Sequence, residues 1–467
     1  MHTTATKSVL RAPTAQPRLR SRQLSFNSGD FFVIALGLSD AISVHLIGDL
    51  PVTEFLGAVA LPFLIAADKK VFTRPDTRRI LLLAGLWIVS QIISDMVNES
   101  PMQSRLKGLA RVLFFTLDFS VFSALIGRNT KRIVLLALSL ATAQMTRLPS
   151  FGLGLDSTSW KFGESAAVSV VLMLFGSYLC HRRRYVLFVA CTVPLMLVNF
   201  HEGYRSQIAV DLVAIGVTLP IFLGPPRIGG GNVNNKYRIV PLLLISFGCV
   251  WMSQKAISLG LQYGYFDDIL QQKFEAQSGG ELGVLIGARP EIPVALRAIA
   301  DAPIFGHGSY AVDAKYQFLL QDFQYKYGYS GSDDPADIAD PGIPTHSHLT
   351  MSWVEGGVLA SFLFFYILYL IVRAIVIISA ERPPLAPFYA FVFITYGWDI
   401  LFSPFGYDRR VFEGFFLVLL LNVLSEPATE SAKAFGKRVV VLRRQVVQAR
   451  RNPLRPVSLP RPRPSVQ

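Results

Sequence analysis

Repeated apolar runs, each long enough to cross a bilayer, constrain the fold of this chain more than any other feature of its sequence. A transmembrane helix needs roughly 17–25 apolar residues, and the runs are too long and unbroken for the alternating strands of a barrel. Only 16% of the residues are charged, against about a quarter in soluble proteins. The sequence therefore predicts an all-α membrane protein. We place about twelve transmembrane helices at about 30–48, 50–67, 79–97, 108–127, 132–146, 164–180, 185–200, 205–223, 239–258, 348–372, 385–402 and 411–424.

Basic residues lie mainly in the two tails and in short loops between the apolar runs. Lys and Arg concentrate on the cytoplasmic side of membrane proteins, so we expect cytoplasmic termini and an outward-facing segment between the ninth and tenth helices. This topology accounts for the net charge of +13, and we expect no nucleic-acid partner. The predicted parts are a disordered basic tail at 1–28, helices one to nine at 29–258 and an outward (periplasmic) loop at 259–347. Helices ten to twelve follow at 348–424, and a basic tail at 425–467.

The outward loop is the one sizeable polar insertion, which makes it the place where chemistry can meet water-soluble groups. Between Gly260 and His348 the chain carries twelve acidic and five basic residues. The acids near its end, Asp333 to Asp340, match no calcium or zinc spacing. We therefore expect a solvated acidic segment, with no metal and no cofactor.

Outward-facing cations are scarce, and two of them suit an anionic ligand. Arg205 lies in a tight link between the seventh and eighth helices, and Arg289 precedes a predicted amphipathic helix, Ile292 to Ala300. Burying arginine near hydrocarbon is costly unless an anion accompanies it, and its planar fork suits phosphate in two-point contact. The alternatives are an interfacial arginine or an ion pair with Glu202 for Arg205, and a salt bridge with Glu291 or another loop acid for Arg289.

The end of the loop supplies a candidate general base. His346 and His348 precede the tenth helix, and histidine is the side chain that gains and loses a proton nearest neutral pH. Glu355 follows His346 by nine residues, about 180° around an ideal helix, so a structural role is expected unless the first turn is irregular. Gly306 and Gly308 permit a sharp turn or a close approach of the backbone to a ligand.

Taken in order, these residues resemble the O-antigen ligase and O-antigen polymerase superfamily, bacterial inner-membrane enzymes that handle undecaprenyl-linked glycans. The family pattern H-[NS]-x(7)-E-x-G is matched by His346, Ser347, Glu355 and Gly357. Arg289, a helix and the run from Pro303 to Gly308 look like the family's arginine, helix and Pro-x-x-Gly-x-Gly, and Arg205 stands where the family has another arginine. The resemblance covers about Glu202 to Phe365 and departs from the pattern at Ser347, Pro293 and Ala288.

The resemblance implies an O-antigen ligase or an O-antigen or exopolysaccharide polymerase. Such an enzyme transfers a glycan from undecaprenyl diphosphate to a hydroxyl of an acceptor glycan or of lipid A–core, at the periplasmic face of the inner membrane and without a metal. Arg205 and Arg289 would hold the diphosphate, and His346 would accept the proton of the hydroxyl. Glu355, Gly306, Gly308 and His348 would support them. Two other classes stay open. One is a transporter or flippase of polysaccharide precursors, with Asp118 and Asp211 as coupling sites; the other is an assembly scaffold.

Overall fold

The computed structural model describes residues 26–45, 48–146, 160–223, 289–326, 342–381 and 383–425, with scattered residues between 244 and 264. Most of the predicted ninth helix and the acidic run from Asp333 to Asp340 lie outside the described residues. The two basic tails do so almost entirely.

The described part of the chain is mostly helical. Its helices are α1 Ser28–Leu38, α2 Val52–Ala67, α3 Lys70–Thr73, α4 Pro75–Val97, α5 Met102–Ile126, α6 Thr130–Thr146, α7 Ser165–His181, α8 Tyr185–His201, α9 Arg205–Leu223, α10 Glu291–Asp301, α11 Ala314–Lys326, α12 His348–Gly356, α13 Val358–Glu381, α14 Ala386–Phe402 and α15 Tyr407–Ser425. Helices α4, α5, α9 and α13 are long and apolar enough to cross a membrane, and α2, α7, α8 and α14 are shorter apolar helices. The all-α membrane class is supported, while the count of about twelve crossings stays a prediction.

The predicted first span, 30–48, is wrong as a continuous helix. Helix α1 has 11 residues, or about 16 Å, which is short of the roughly 30 Å hydrocarbon core. A capping box between Asn27 and Asp30 begins it, and a 3₁₀ turn at Ser39–Ala41 follows. The chain then forms a hairpin of β1 Ser43–His45 and β2 Asp49–Pro51, paired antiparallel, so residues beyond Leu38 do not extend the helix.

The predicted tenth span, 348–372, is divided at Gly357 into α12 and α13. Gly357 has a φ of +78°, and a Cβ there would lie 2.0 Å from the carbonyl oxygen of Ile304. Only glycine tolerates both conditions. The segment around Ile304, in the loop that precedes α12, therefore packs its backbone directly against the break in this helix.

The core between the helices is aromatic and also holds a buried ion pair. Trp87 of α4 packs edge-on against Phe364 of α13, with ring centroids 5.2 Å apart. Arg410 of α15 donates two hydrogen bonds to Glu54 of α2, at 2.6 and 2.8 Å. Because both side chains are buried, each charge needs the other, and the pair fixes α2 against α15.

Candidate functional site

A cavity of about 250 Å³ opens at one end of the bundle, between the beginnings of α7, α9 and α15 and the end of α14. Arg289, the predicted diphosphate-binding cation, and His346, the predicted base, both line it. Its other polar residues include Tyr204, Ser206, Gln207, Asp399 and Arg409. Apolar and aromatic residues complete the wall: Val170, Val210, Phe391, Trp398, Phe402, Phe412 and Phe416. A lining that combines charged and apolar residues suits a ligand that is part anion and part hydrocarbon.

His346 lies just before α12, held in place by the cap of that helix. Ser347 is the N-cap: its Oγ accepts a hydrogen bond from the N–H of Thr350 at 3.1 Å and donates one to the carbonyl of Ile400 at 2.8 Å. The His346 side chain is 44% exposed, and its Nδ1 lies 3.8 Å from Oε1 of Glu291. Nδ1 is buried, while the imidazole as a whole is partly exposed and lines the cavity. We infer that Nε2 is the nitrogen that faces the cavity.

Arg289 immediately precedes the helix predicted for Ile292 to Ala300, which is present as α10, Glu291–Asp301. Among the described residues, no carboxylate forms an ion pair with Arg289. Glu291, its nearest candidate in sequence, lies against His346 instead. The structure therefore does not form the predicted alternative of a salt bridge between Arg289 and Glu291. The other alternative, a salt bridge with another loop acid, stays open, because the acids at 267–281 and 333–340 lie outside the described residues.

Arg409 is a cavity cation that the sequence analysis missed. It lies in the first turn of α15 and forms a salt bridge with Asp399 near the end of α14. A signal was present, because the Arg409-Arg410 pair precedes the last apolar run on the predicted outward side, where cations are scarce. The two neighbours diverge: Arg410 turns inward to Glu54, and Arg409 turns to the cavity.

Arg205 begins α9 beside the cavity, flanked by lining residues on both sides. Tyr204, Ser206 and Gln207 belong to the wall, but the partly buried Arg205 side chain does not. The structure thus brings Arg205 to the edge of the site and brings Arg289 into it.

Gly306 and Gly308 do not line the cavity, and the close backbone approach that they permit is to the protein itself. Both have positive φ, +71° and +89°, and a Cβ on Gly306 would lie 2.6 Å from the carbonyl oxygen of Val354. Hydrogen bonds tie this turn to α12, from His307 N to Val354 O at 2.7 Å and from Gly308 N to Glu355 O at 3.1 Å. The glycines therefore fix the loop onto α12, the helix that follows His346.

Asp95 of α4 binds the same turn through Ser309. Its carboxylate accepts from the N–H of Ser309 at 2.6 Å and from the hydroxyl of Ser309 at 2.8 Å, and it is buried. On the other side of the loop, Asp301 ties α10 to α11. A hydrogen bond from Lys315, with a second from Tyr316, holds the pKa of Asp301 below its usual range.

Glu355 and His348 lie away from the cavity. Oε2 of Glu355 accepts a hydrogen bond from Arg111 of α5 at 3.0 Å, and the side chains are 12% and 6% exposed. The Arg111 guanidinium also lies 4.4 Å from the ring centroid of Tyr310. His348 is fully buried behind the wall, with Nε2 at 3.2 Å from Oε1 of Glu413. The expected structural role of Glu355 agrees with these contacts.

In the part of the chain that the structure describes, no group of three or more His, Cys, Asp or Glu side chains is arranged to hold a metal ion. Comparison of the chain with models of known families, with curated proteins and with solved structures finds no match. The site must therefore be interpreted from its own geometry.

Proposed function

We propose that this protein transfers a glycan from undecaprenyl diphosphate to an acceptor hydroxyl, at the outer face of a bacterial inner membrane. The observation that carries this proposal is the convergence of Arg289 and His346 on one cavity. These residues are 57 positions apart, and they bring together a cation that has no ion pair among the described residues and a partly exposed imidazole. An anionic leaving group and a base are the two things that such a transfer requires.

The reaction needs one bond to form and one to break. The acceptor oxygen attacks the anomeric carbon, and the bond from that carbon to the diphosphate oxygen breaks with its electron pair going to the diphosphate. The hydroxyl proton passes to Nε2 of His346. Arg289 stabilises the negative charge on the diphosphate, and Arg409, which also lines the cavity in its salt bridge with Asp399, is the second cation there. Arg205, beside the wall, would bind the diphosphate from the first residue of α9.

The cavity is suited to the reacting centre and not to the whole substrate. Its volume of about 250 Å³ is at or below the size of ordinary ligand pockets. The polyprenyl chain would lie among the apolar residues between α7, α9 and α14 and leave towards the bilayer. The acceptor, a second glycan or lipid A–core, would approach from the water side. This arrangement serves a ligase and a polymerase equally.

The test is substitution of Arg289, His346 and Arg205 singly by Ala, followed by gel analysis of the surface polysaccharide. We expect loss of long or ligated glycan for Arg289 and His346, and a smaller loss for Arg205. Matched controls are Arg297→Ala, which removes an exposed arginine from α10, and His45→Ala, which removes an exposed histidine. Unchanged glycan in both Arg289→Ala and His346→Ala, with normal protein levels, would refute the proposal.

The same gel separates ligase from polymerase and tests the transporter alternative. A ligase defect leaves long chains on the carrier lipid, and a polymerase defect leaves single-repeat products. A transporter would depend on Asp118 and Asp211, so we add Asp118→Asn and Asp211→Asn. Asp211 already accepts hydrogen bonds from Ser169 and Gln207, at 3.3 and 3.2 Å, as a structural residue does. Loss of glycan in these two variants alone would favour transport.

A further inference from the structure

The candidate base His346 lies close to the carboxylate of Glu291 but does not form a hydrogen bond with it. Nδ1 of His346 and Oε2 of Glu291 are both buried and make no hydrogen bond with a described residue. Nδ1 is 3.8 Å from the other carboxylate oxygen, Oε1. A movement of about 1 Å would bring the pair to hydrogen-bond distance. Buried polar atoms without partners are costly, so the closed contact is the more stable arrangement once a substrate excludes water.

The two side chains belong to the beginnings of two helices, α10 and α12, that pack on each other. Glu291 begins α10, and His346 immediately precedes α12. The buried face of α10, Val294, Ala295 and Ala298, forms one apolar cluster with Val354 of α12. This apolar contact holds the carboxylate on the Nδ1 side of the imidazole.

We propose that Glu291 is a positioning residue that selects the tautomer of His346; this inference rests on the function proposed above. A neutral imidazole carries one proton, and its other nitrogen is the acceptor. When Nδ1–H donates to Glu291, Nε2 presents its lone pair to the cavity and accepts the proton of the acceptor hydroxyl. The resulting imidazolium then faces a carboxylate, which stabilises it. The opposite tautomer would point N–H at the cavity and block proton transfer.

The same pairing separates the charges of the site. Arg289 and Glu291 are two residues apart, and a salt bridge between them would neutralise the diphosphate clamp. The carboxylate instead lies against the imidazole, which leaves the guanidinium for the diphosphate. Glu291 thereby pairs with the base His346 and leaves the cation Arg289 to pair with the diphosphate.

The test measures the tautomer and the activity of the full-length protein in detergent or nanodiscs. Nitrogen-15 NMR of histidine-labelled protein in alkaline buffer, with His346→Gln used to assign the signal, reports which nitrogen is protonated. We expect Nδ1–H in the wild type and loss of this preference in Glu291→Ala. The matched control is Asp322→Ala, which removes an exposed acid of α11 and should change neither readout.

Activity should follow the tautomer across Glu291→Ala, Glu291→Asp and Glu291→Gln. We expect kcat to fall about 10- to 100-fold in Glu291→Ala with little change in KM for the lipid-linked donor, less than the 10²–10⁴-fold typical of losing the base itself. A wild-type tautomer and wild-type kcat in Glu291→Ala, while His346→Ala is inactive, would overturn this inference alone. Full activity in both variants would instead overturn the proposed function.

Discussion

Replacing Glu355 by Met separates a structural role of this residue from a chemical one. The change leaves Arg111 buried, at 6% exposure, without the carboxylate that now lies 3.0 Å away. Removing one partner of a buried ion pair costs about 3–5 kcal/mol, because the remaining charge is left uncompensated. A typical stability is only about 5–15 kcal/mol. We therefore expect Glu355→Met to lower the thermal midpoint and the amount of folded protein sharply.

The double variant Arg111→Met, Glu355→Met removes both charges and should recover most of that stability. The assay is gel filtration of the detergent-solubilised protein after heating, with glycan transfer measured per amount of folded protein. Arg297→Met is the control, since its exposed pair with Asp301 is worth at most about 1 kcal/mol. A double variant that folds but transfers no glycan would refute the structural role. So would a single variant as stable as the wild type.

Three further changes test the parts around the cavity. Gly306→Ala should lower the thermal midpoint, because its φ of +71° and a contact of 2.6 Å with a backbone oxygen leave no room for Cβ; normal stability would contradict the docking contact. Ser347→Ala should cost about 1 kcal/mol through loss of the N-cap, while Ser347→Asn, which can cap the helix, should cost less in the same melting assay. Arg409→Ala should raise KM for the lipid-linked donor more than Arg409→Lys does, and equal KM values would show that its charge plays no part in binding.

The sequence was most informative where a single rule dominates. Long apolar runs predicted most helices to within a few residues, and α8 and α9 match closely. Scarcity of outward cations selected Arg289, which lines the cavity. Alternatives for Arg289 could not be separated in advance, because a neighbouring acid in sequence is not a neighbour in space. Glu291 lies beside His346 because it is the first residue of α10, and its position there depends on how that helix packs against α12.

The errors have a common physical origin in backbone conformation and long-range contact. Hydropathy cannot show that Gly357 breaks the tenth helix, since the cause is the backbone of Ile304 more than fifty residues earlier. Gly306 was predicted to permit a sharp turn or a close approach to a ligand, and in the structure it has positive φ and approaches the backbone of α12. Arg409 was missed because its role depends on which of two adjacent arginines faces the cavity.

The most direct test of the central claim is transfer by purified protein in nanodiscs, with a glycan on undecaprenyl diphosphate as donor. We predict that His346→Ala lowers kcat by about 10²–10⁴-fold, as expected for loss of a general base, while donor binding is retained. Arg289→Ala should instead weaken donor binding as well as turnover. Wild-type turnover by folded His346→Ala protein would contradict the assignment of the cavity as the site of transfer.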